Sequence, residues 1–279
     1  MKFRFVLTLL ILSLLTSCTG ALMNFAYNQA DSYVIGKVDD YFDLNRLQKR
    51  TLEKHGAEIL AWHKKYEIPR YSALLREISE VSKKPIDQST YRLYYKKVED
   101  RRNVLMRKII PVAVELMLSL SEEQIQYFSE QLDENLEELK EDVELSREKR
   151  IEKRTEKILD NIEEYSGDWQ GEKRKRLIAE SRKIPDTLPP FYRHRLNRKK
   201  EILSLLRAKD KNELTKKMTT WLTNPRKGYD ATYLRHFDEM VQSWEDFTLW
   251  VSANADNNHR DYFRKKLNEL AARVDGLKN

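Results

Sequence analysis

SEEQIQYFSEQLDENLEELKEDVELSREKRIEKRTEKILDNIEEY, Ser121 to Tyr165, runs without a single glycine or proline. It opens on Ser121-Glu122-Glu123-Gln124, the capping-box pattern. In that pattern a serine oxygen takes the N–H three residues on, and a glutamine reaches back to the first N–H. Leu132, Leu136, Leu139 and Val143 then fall on one helical stripe, and Ile151, Ile158 and Ile162 resume it. The spacing predicts the longest helix of the chain, running from Ser121 towards Tyr165. Charge separates along it: Glu130 to Glu148 is mostly acidic, and Lys149 to Lys157 is more basic. Two readings of that separation are open, a solvated helix projecting from the body and a dedicated charged binding face.

The rest of the chain has the same character. Seven glycines and seven prolines among 279 residues are too few turn formers for an α/β or all-β domain of this size. Leu, Glu, Lys and Arg dominate, and all favour helix. The expected fold is all-α: an elongated bundle of long helices, with one charged helical hairpin projecting and no sheet.

Outward from Ser121, the pattern divides at recognisable signals. Upstream, residues 23–42 read as an amphipathic helix. Asn45 caps a second, with Leu47, Leu52, Ile59, Leu60 and Trp62 near helical spacing. Pro69 ends or restarts it. Arg70 to Ser82 is a short helix stopped by Pro85. Residues 88–120 form a longer one ending in the apolar run IIPVAVELMLSL, where Pro111 is expected to kink or divide it. That run is too short to span a bilayer and contains Glu115, which suits the centre of a bundle better. Downstream, Ser166-Gly167-Asp168 is a turn, and Glu172 to Lys183 is a basic helix containing KRKR at 173–176. Pro189 and Pro190 fit the first turn of a helix over Phe191 to Ala208. Asp210 caps another, ending near Thr223. Asp230 to Leu277 is helical, interrupted within 252–258.

A short pattern repeats. LNRLQ (44–48) and LSEEQ (120–124) both read leucine, capping residue, two others, glutamine. ADNNH (255–259) is a degraded third copy. EQIQYFSEQL aligns with NHRDYFRKKL, matching Tyr127 and Phe128 with Tyr262 and Phe263, and Leu132 with Leu267. Each copy is, locally, a helix start. The paired motifs also resemble the LTxxQ motifs of the Spy/CpxP family, small helical periplasmic proteins that include ATP-independent chaperones and envelope-stress regulators. Asparagine and serine stand here for threonine.

The amino terminus carries a second signal. Lys2 and Arg4 precede an apolar run, Phe5 to Leu15, broken only by Thr8 and Ser13. That is signal-peptide length, well short of a membrane span. The order Leu15-Thr16-Ser17-Cys18 resembles the bacterial lipobox. The resemblance implies cleavage before Cys18, a diacylglyceryl thioether on its sulfur and acylation of the new amino terminus. Several acyl chains, each contributing roughly 0.8 kcal/mol per buried methylene, hold a protein at a membrane surface. Thr19 rather than aspartate follows, which favours the outer membrane. Cys18 is the chain's one cysteine, so a disulfide framework and every cysteine-based metal site are excluded. Loss of Lys2 and Arg4, with no acid in residues 1–17, takes the formal charge from +7 to +5.

A broader resemblance covers most of the chain beyond Cys18. The order is lipobox, Tyr41-Phe42-Asp43-Leu44 with Gln48, Trp62-His63-Lys64-Lys65-Tyr66-Glu67-Ile68-Pro69-Arg70-Tyr71, then Leu120 to Gln124. This is similar to an uncharacterised proteobacterial lipoprotein family, a domain of unknown function. It implies a helical fold and an envelope location, and offers no catalytic residues.

Residue chemistry adds little that points to catalysis. The histidines are His55, His63, His194, His236 and His259. His55 and His63 lie about two helical turns apart and are able to share a face, yet lack a third ligand. No HExxH, GxSxG or phosphate-cradling loop occurs. Glu115 is expected to face Arg107, Lys108 or another base, or to reach the surface. In YRHRLNRKK (192–200), Arg193, Arg195, Arg198, Lys199 and Lys200 read either as contacts to an anionic surface or as a solvated face paired with nearby acids. The organisation expected is a signal peptide over 1–17, a lipidated tether over 18–22 and a single all-helical periplasmic domain over 23–279. The function expected is a non-enzymatic binding or chaperone-like role in envelope maintenance. The alternative is a structural adaptor docking one protein or cell-wall partner. The partners expected are the bilayer, through acylated Cys18, and unfolded or envelope protein clients. No metal, nucleic acid or cofactor beyond the covalent lipid is expected.

Overall fold

The structure, a computed structural model, describes residue 27 and residues 29–277. Cys18, the signal segment 1–17 and the tether 18–22 lie outside the described residues. Every regular element among the described residues is helical: eleven α-helices and one short 3-10 turn, with no strand. In chain order they are α1 (Ala30–Phe42), α2 (Arg46–Tyr66), α3 (Ile68–Val81), α4 (Gln88–Ser119), α5 (Glu122–Glu144) and α6 (Arg147–Ser166). There follow α7 (Gly171–Arg182), α8 (Leu188–Ala208), α9 (Lys211–Thr223), the 3-10 turn Pro225–Gly228, α10 (Ala231–Asn254) and α11 (Asn257–Gly276).

The boundaries follow local chemistry. Asn45, Asp87, Ser121, Ser146, Asp210 and Asp230 each accept a first-turn N–H through the side chain. Those donors have no partner inside the helix, so a short oxygen-bearing side chain satisfies them. Gly167 ends α6 at φ 77°, a left-handed conformation that costs glycine nothing, with the Tyr262 ring 3.7 Å from where a Cβ would stand. Pro189 and Pro190 sit in the first turn of α8, where a missing N–H is harmless.

One boundary differs from expectation, and one of two open outcomes is decided. The helix predicted from Ser121 towards Tyr165 is two helices, divided at Leu145 and Ser146. Leu145 is extended at φ −60°, ψ 151°, and Ser146 caps α6 by accepting from Lys149 N–H. Arg150 holds the break: its guanidinium donates to the carbonyls of Val143 and Leu145 and pairs with Asp186 at 2.7 Å. The two halves take separate partners, α5 packing chiefly along α8 and α6 along α7. Lys153 of α6 also pairs with Asp142 of α5 at 3.5 Å, so the two halves stay linked beyond the break. Conversely, Pro111 does not divide its helix. α4 runs unbroken through it from Gln88 to Ser119. Pro111 itself is exposed.

The single domain expected over 23–279 is built of two compact units, each discontinuous in sequence. The first comprises, among the described residues, those up to 40, 44–81 and those from 264 to 277. Its core is Ile68, Leu270, Val274 and Leu277, with Tyr27, Tyr71 and Leu75 against it. Beside it Ser72 Oγ donates to Asp275 at 2.7 Å, and Arg76 bonds both Ser72 and Asp275. The second unit comprises residues 41–43 and 82–263. One core there gathers Ile158, Leu159, Trp169, Leu177, Ile184 and Phe247 from α6, α7, α10 and the intervening loops. The apolar run of α4 buries Leu105, Met106, Ile110, Val114 and Leu116 and packs against α9.

Candidate binding surface

α4 is the longest described helix, and its two ends are held differently. At the start, Asp87 accepts from Thr90 N–H at 2.8 Å. That bond and the neighbouring hydroxyls hold the Asp87 carboxyl below its ordinary value. One turn on, Glu245 of α10 reaches in. Its carboxylate is nearly fully buried and accepts from Gln88 at 2.5 Å and from Arg92 at 2.9 to 3.1 Å. Arg92 chiefly, then Gln88, holds Glu245 below the usual carboxylate range against burial, which acts the other way. Tyr91 leans on the same helix. Burial, then the neighbouring Tyr95 and Glu245, push its phenol up to about 12. The far half, from Leu105 onward, is sealed against α9.

Between these anchors α4 meets solvent with apolar side chains. Tyr95 is 49% exposed and Val98 46%. Tyr91, Tyr95 and Val98 recur at helical spacing and form one stripe, with the Tyr91 and Tyr95 rings stacked 6.0 Å apart. Tyr94 borders the stripe beneath the Lys97 ammonium, 4.9 Å from its ring centroid. Ion pairs flank it: Lys96 with Asp100, and Arg102 with Glu99 at 3.7 Å. Leu93, 53% exposed, points to the opposite side of the helix, two residues and roughly 200° away. An aromatic stripe rimmed by mixed charge, on a helix fixed at both ends, suits an amphipathic or extended polypeptide segment.

The repeated motif resolves as helix-start chemistry. Asn45 accepts from Leu47 and Gln48 N–H, and Gln48 returns to Asn45 N–H at 3.0 Å. Ser121 and Gln124 do the same at 3.3 and 3.1 Å. The Gln124 amide also donates to the carbonyls of Phe42 and Asp43, at 3.2 and 2.8 Å, so it braces the left-handed turn at Asp43 (φ 46°). The third copy keeps the logic with other atoms. His259 N–H donates to Asp256 at 3.1 Å, and the two side chains lie 2.7 Å apart. That N–H first, then Lys173 and the His259 ring, holds the Asp256 carboxyl far below its usual range.

The basic tract 192–200 does not present one cationic face. Arg193 and Lys200 are exposed, two turns apart on α8. Arg198 is turned inward, stacked 4.0 Å over Trp221 and bonded to Gly228 O at 2.9 Å and Glu201 at 3.2 Å. Lys199 pairs with Asp133 and is mostly buried, and Arg195 is half-buried and engaged. His194 lies flat on Tyr233, 4.4 Å between centroids, in an aromatic cluster with Tyr229 and Phe237. The tract thus spends three of its five cations inside the fold.

The other singled-out residues are dispersed. His55 pairs with Glu58 at 3.3 Å near the surface, whereas His63 is buried and bonded to Tyr27 at 2.5 Å. The two do not share a site. Among the described residues no three His, Cys, Asp or Glu side chains converge as a metal-binding group. Glu115 is exposed on α4 and engaged. Sequence reasoning missed the α4 stripe and the Arg92–Glu245 anchor. The available signal was Tyr91, Tyr95 and Val98 at helical spacing among charged residues.

The model of the family of unknown function DUF6279 matches residues 40–234, and the chain belongs to that family. The match takes in α2 to α9, including the whole exposed stripe, and stops at the start of α10. No curated protein and no solved structure matches the chain.

Proposed function

We propose that this member of the family is a lipid-anchored protein of the bacterial envelope, held through Cys18 in the outer membrane and facing the periplasm. Its role is non-enzymatic, holding unfolded or partly folded envelope clients by brief apolar and ionic contacts. The observation that carries this reading is the stripe of Tyr91, Tyr95 and Val98 on α4, of which Tyr95 and Val98 are left in solvent between two anchored ends and rimmed by ion pairs. Monomeric proteins seldom leave aromatic stripes uncovered without an occupant. The order Leu15-Thr16-Ser17-Cys18 supports the anchor. The LTxxQ-like motifs at 44–48 and 120–124 agree with a Spy/CpxP-like relationship only as far as both are capped helix starts.

The test has two arms. Mass spectrometry of the native product is expected to show an acylated Cys18 as the first residue, and an unmodified sulfur or an intact leader refutes the anchor. The purified protein is expected to suppress aggregation of denatured clients at stoichiometric ratios, and no suppression refutes the holding role. The alternative, an adaptor docking one protein or cell-wall partner, is favoured by the fixed anchoring of α4, which presents a single defined surface. In-cell crosslinking from position 95 separates the two, since one dominant partner marks an adaptor and many weak ones a chaperone.

A further inference from the structure

Tyr27 and His63 form the most unusual polar contact of the first unit. The phenol oxygen lies 2.5 Å from Nδ1 of a ring that is only 8% exposed. The other ring nitrogen, Nε2, is buried without a hydrogen-bond partner. Aromatic rings surround it: Tyr27 stacked at 6.0 Å, Tyr71 at 5.3 Å and Trp62 at 6.4 Å between centroids. A neutral imidazole tolerates this setting and an imidazolium does not, because both ring N–H groups would then carry charge and one would have no acceptor.

We propose that the Tyr27–His63 bond is an acid-sensitive latch, which holds the chain leading into α1 against α2 and α3 and releases it when His63 is protonated. The charged groups around the ring do not rescue the cation. On α2, Lys64 lies over the Tyr27 ring at 5.8 Å and repels it. Beyond the end of α2, the buried Glu67 is bonded to Arg70 of α3 at 2.7 Å. On α11, Asp275 is bonded to Ser72 and Arg76. Tyr27 and Tyr71 are the remaining titratable neighbours, and burial raises the Tyr27 phenol further, so neither supplies a negative charge. The aromatic faces recover part of the cost of the cation, but less than burial imposes.

The direction follows from linkage. Burial lowers the His63 ring to about 4. Once released it returns to the ordinary histidine value. The latch is therefore fully closed above about pH 6.5, and its opening constant rises about tenfold per pH unit as pH falls from there towards 4. If Cys18 carries lipid, opening lengthens the leash between bilayer and body, but the latch does not depend on that anchor.

Hydrogen exchange of the α1 backbone amides tests this on the full chain in detergent, with intrinsic rates corrected for pH. Protection is expected to fall about fifteenfold between about pH 6.5 and pH 5. In His63→Phe, which keeps a ring in the box and carries no proton, protection is expected to be independent of pH. Unchanged wild-type protection, or an unaltered pH dependence in His63→Phe, overturns the latch. Should that variant fail to fold, the wild-type imidazole resonances decide: the latch requires His63 to titrate well below the ordinary histidine value, and a midpoint at that value refutes it.

Discussion

Arg92 on α4 and Glu245 on α10, 153 residues apart in the chain, close on one another so that the guanidinium Nε lies 3.1 Å from both carboxylate oxygens. The pair is asymmetric. The Glu245 side chain is 7% exposed and that of Arg92 59%, so the acid depends on the base more than the reverse. Removing Arg92 leaves a buried carboxylate short of donors. Arg92→Met is expected to lower the urea midpoint of unfolding. A second change, Glu245→Leu, should restore most of the loss. Urea unfolding of the single and double variants measures both.

The same pair sets a pH dependence. Arg92 holds the Glu245 carboxyl below its ordinary value. A depressed carboxylate contributes stability above the ordinary carboxylate range and loses it as pH falls through the folded value. Arg92→Met removes that depression, so its stability deficit relative to the wild type should be largest above the ordinary carboxylate range and should narrow as pH falls below it. Urea unfolding of both proteins across a pH series checks the sign. A deficit that stays the same at every pH would show that Glu245 is not coupled to folding.

Gln124 ties its capping box to remote backbone. Both Gln48 and Gln124 close capping boxes, and Gln124 also bonds two carbonyls, those of Phe42 and Asp43. Ser121→Ala is expected to cost about 1 kcal/mol, the usual value of a lost cap. Gln124→Ala is expected to cost about 2 kcal/mol, since it strands an N–H and two carbonyls together. Thermal unfolding of the two variants ranks them, and equal losses would show that the bracing of residues 42 and 43 adds nothing.

These two features mark what was legible in the sequence. Caps are local: Asn45, Ser121 and Asp210 declare themselves by side-chain type and position, and so does the all-helical class through scarce glycine and proline. The break at Leu145 was harder to read. It carries neither glycine nor proline, and Arg150 secures it through Asp186 of a later loop, a partner that no local pattern names. At Pro111, where a kink or a division was open, the helix continues, and a proline alone does not name which of the two occurs. The basic tract was legible as composition only. Which of its cations face inward depends on Trp221, Gly228 and Asp133, all remote in sequence.

That distribution changes how an anionic contact is probed. Reversing Arg198 or Lys199 would break internal bonds and confuse unfolding with lost binding. Arg193→Glu and Lys200→Glu alter solvent-facing charge, and each should move stability by less than about 0.5 kcal/mol. If the exposed pair meets anionic headgroups, the double reversal should reduce co-sedimentation with anionic vesicles at low salt, and added salt should reduce it in the wild type. Binding unmoved by either change removes the tract from consideration as a surface contact.

The α4 stripe must be separated from general stickiness, and Leu93 supplies the control. Tyr95 and Val98 are about half exposed, so Tyr95→Ser and Val98→Ser should change stability by less than about 0.5 kcal/mol. Leu105, 8% exposed one turn beyond Arg101, is core, and Leu105→Ala should cost about 2–4 kcal/mol. A client that docks on the stripe loses its central aromatic contact in Tyr95→Ser, and affinity should fall at least about tenfold, or 1.4 kcal/mol. Leu93→Ser removes an equally exposed apolar side chain from the opposite side of the same helix and should leave affinity unchanged. Exposure alone predicts equal losses for positions 93 and 95, whereas a directional surface predicts a loss at 95 only, so a binding titration of these two variants decides whether α4 has a face or merely a greasy stretch.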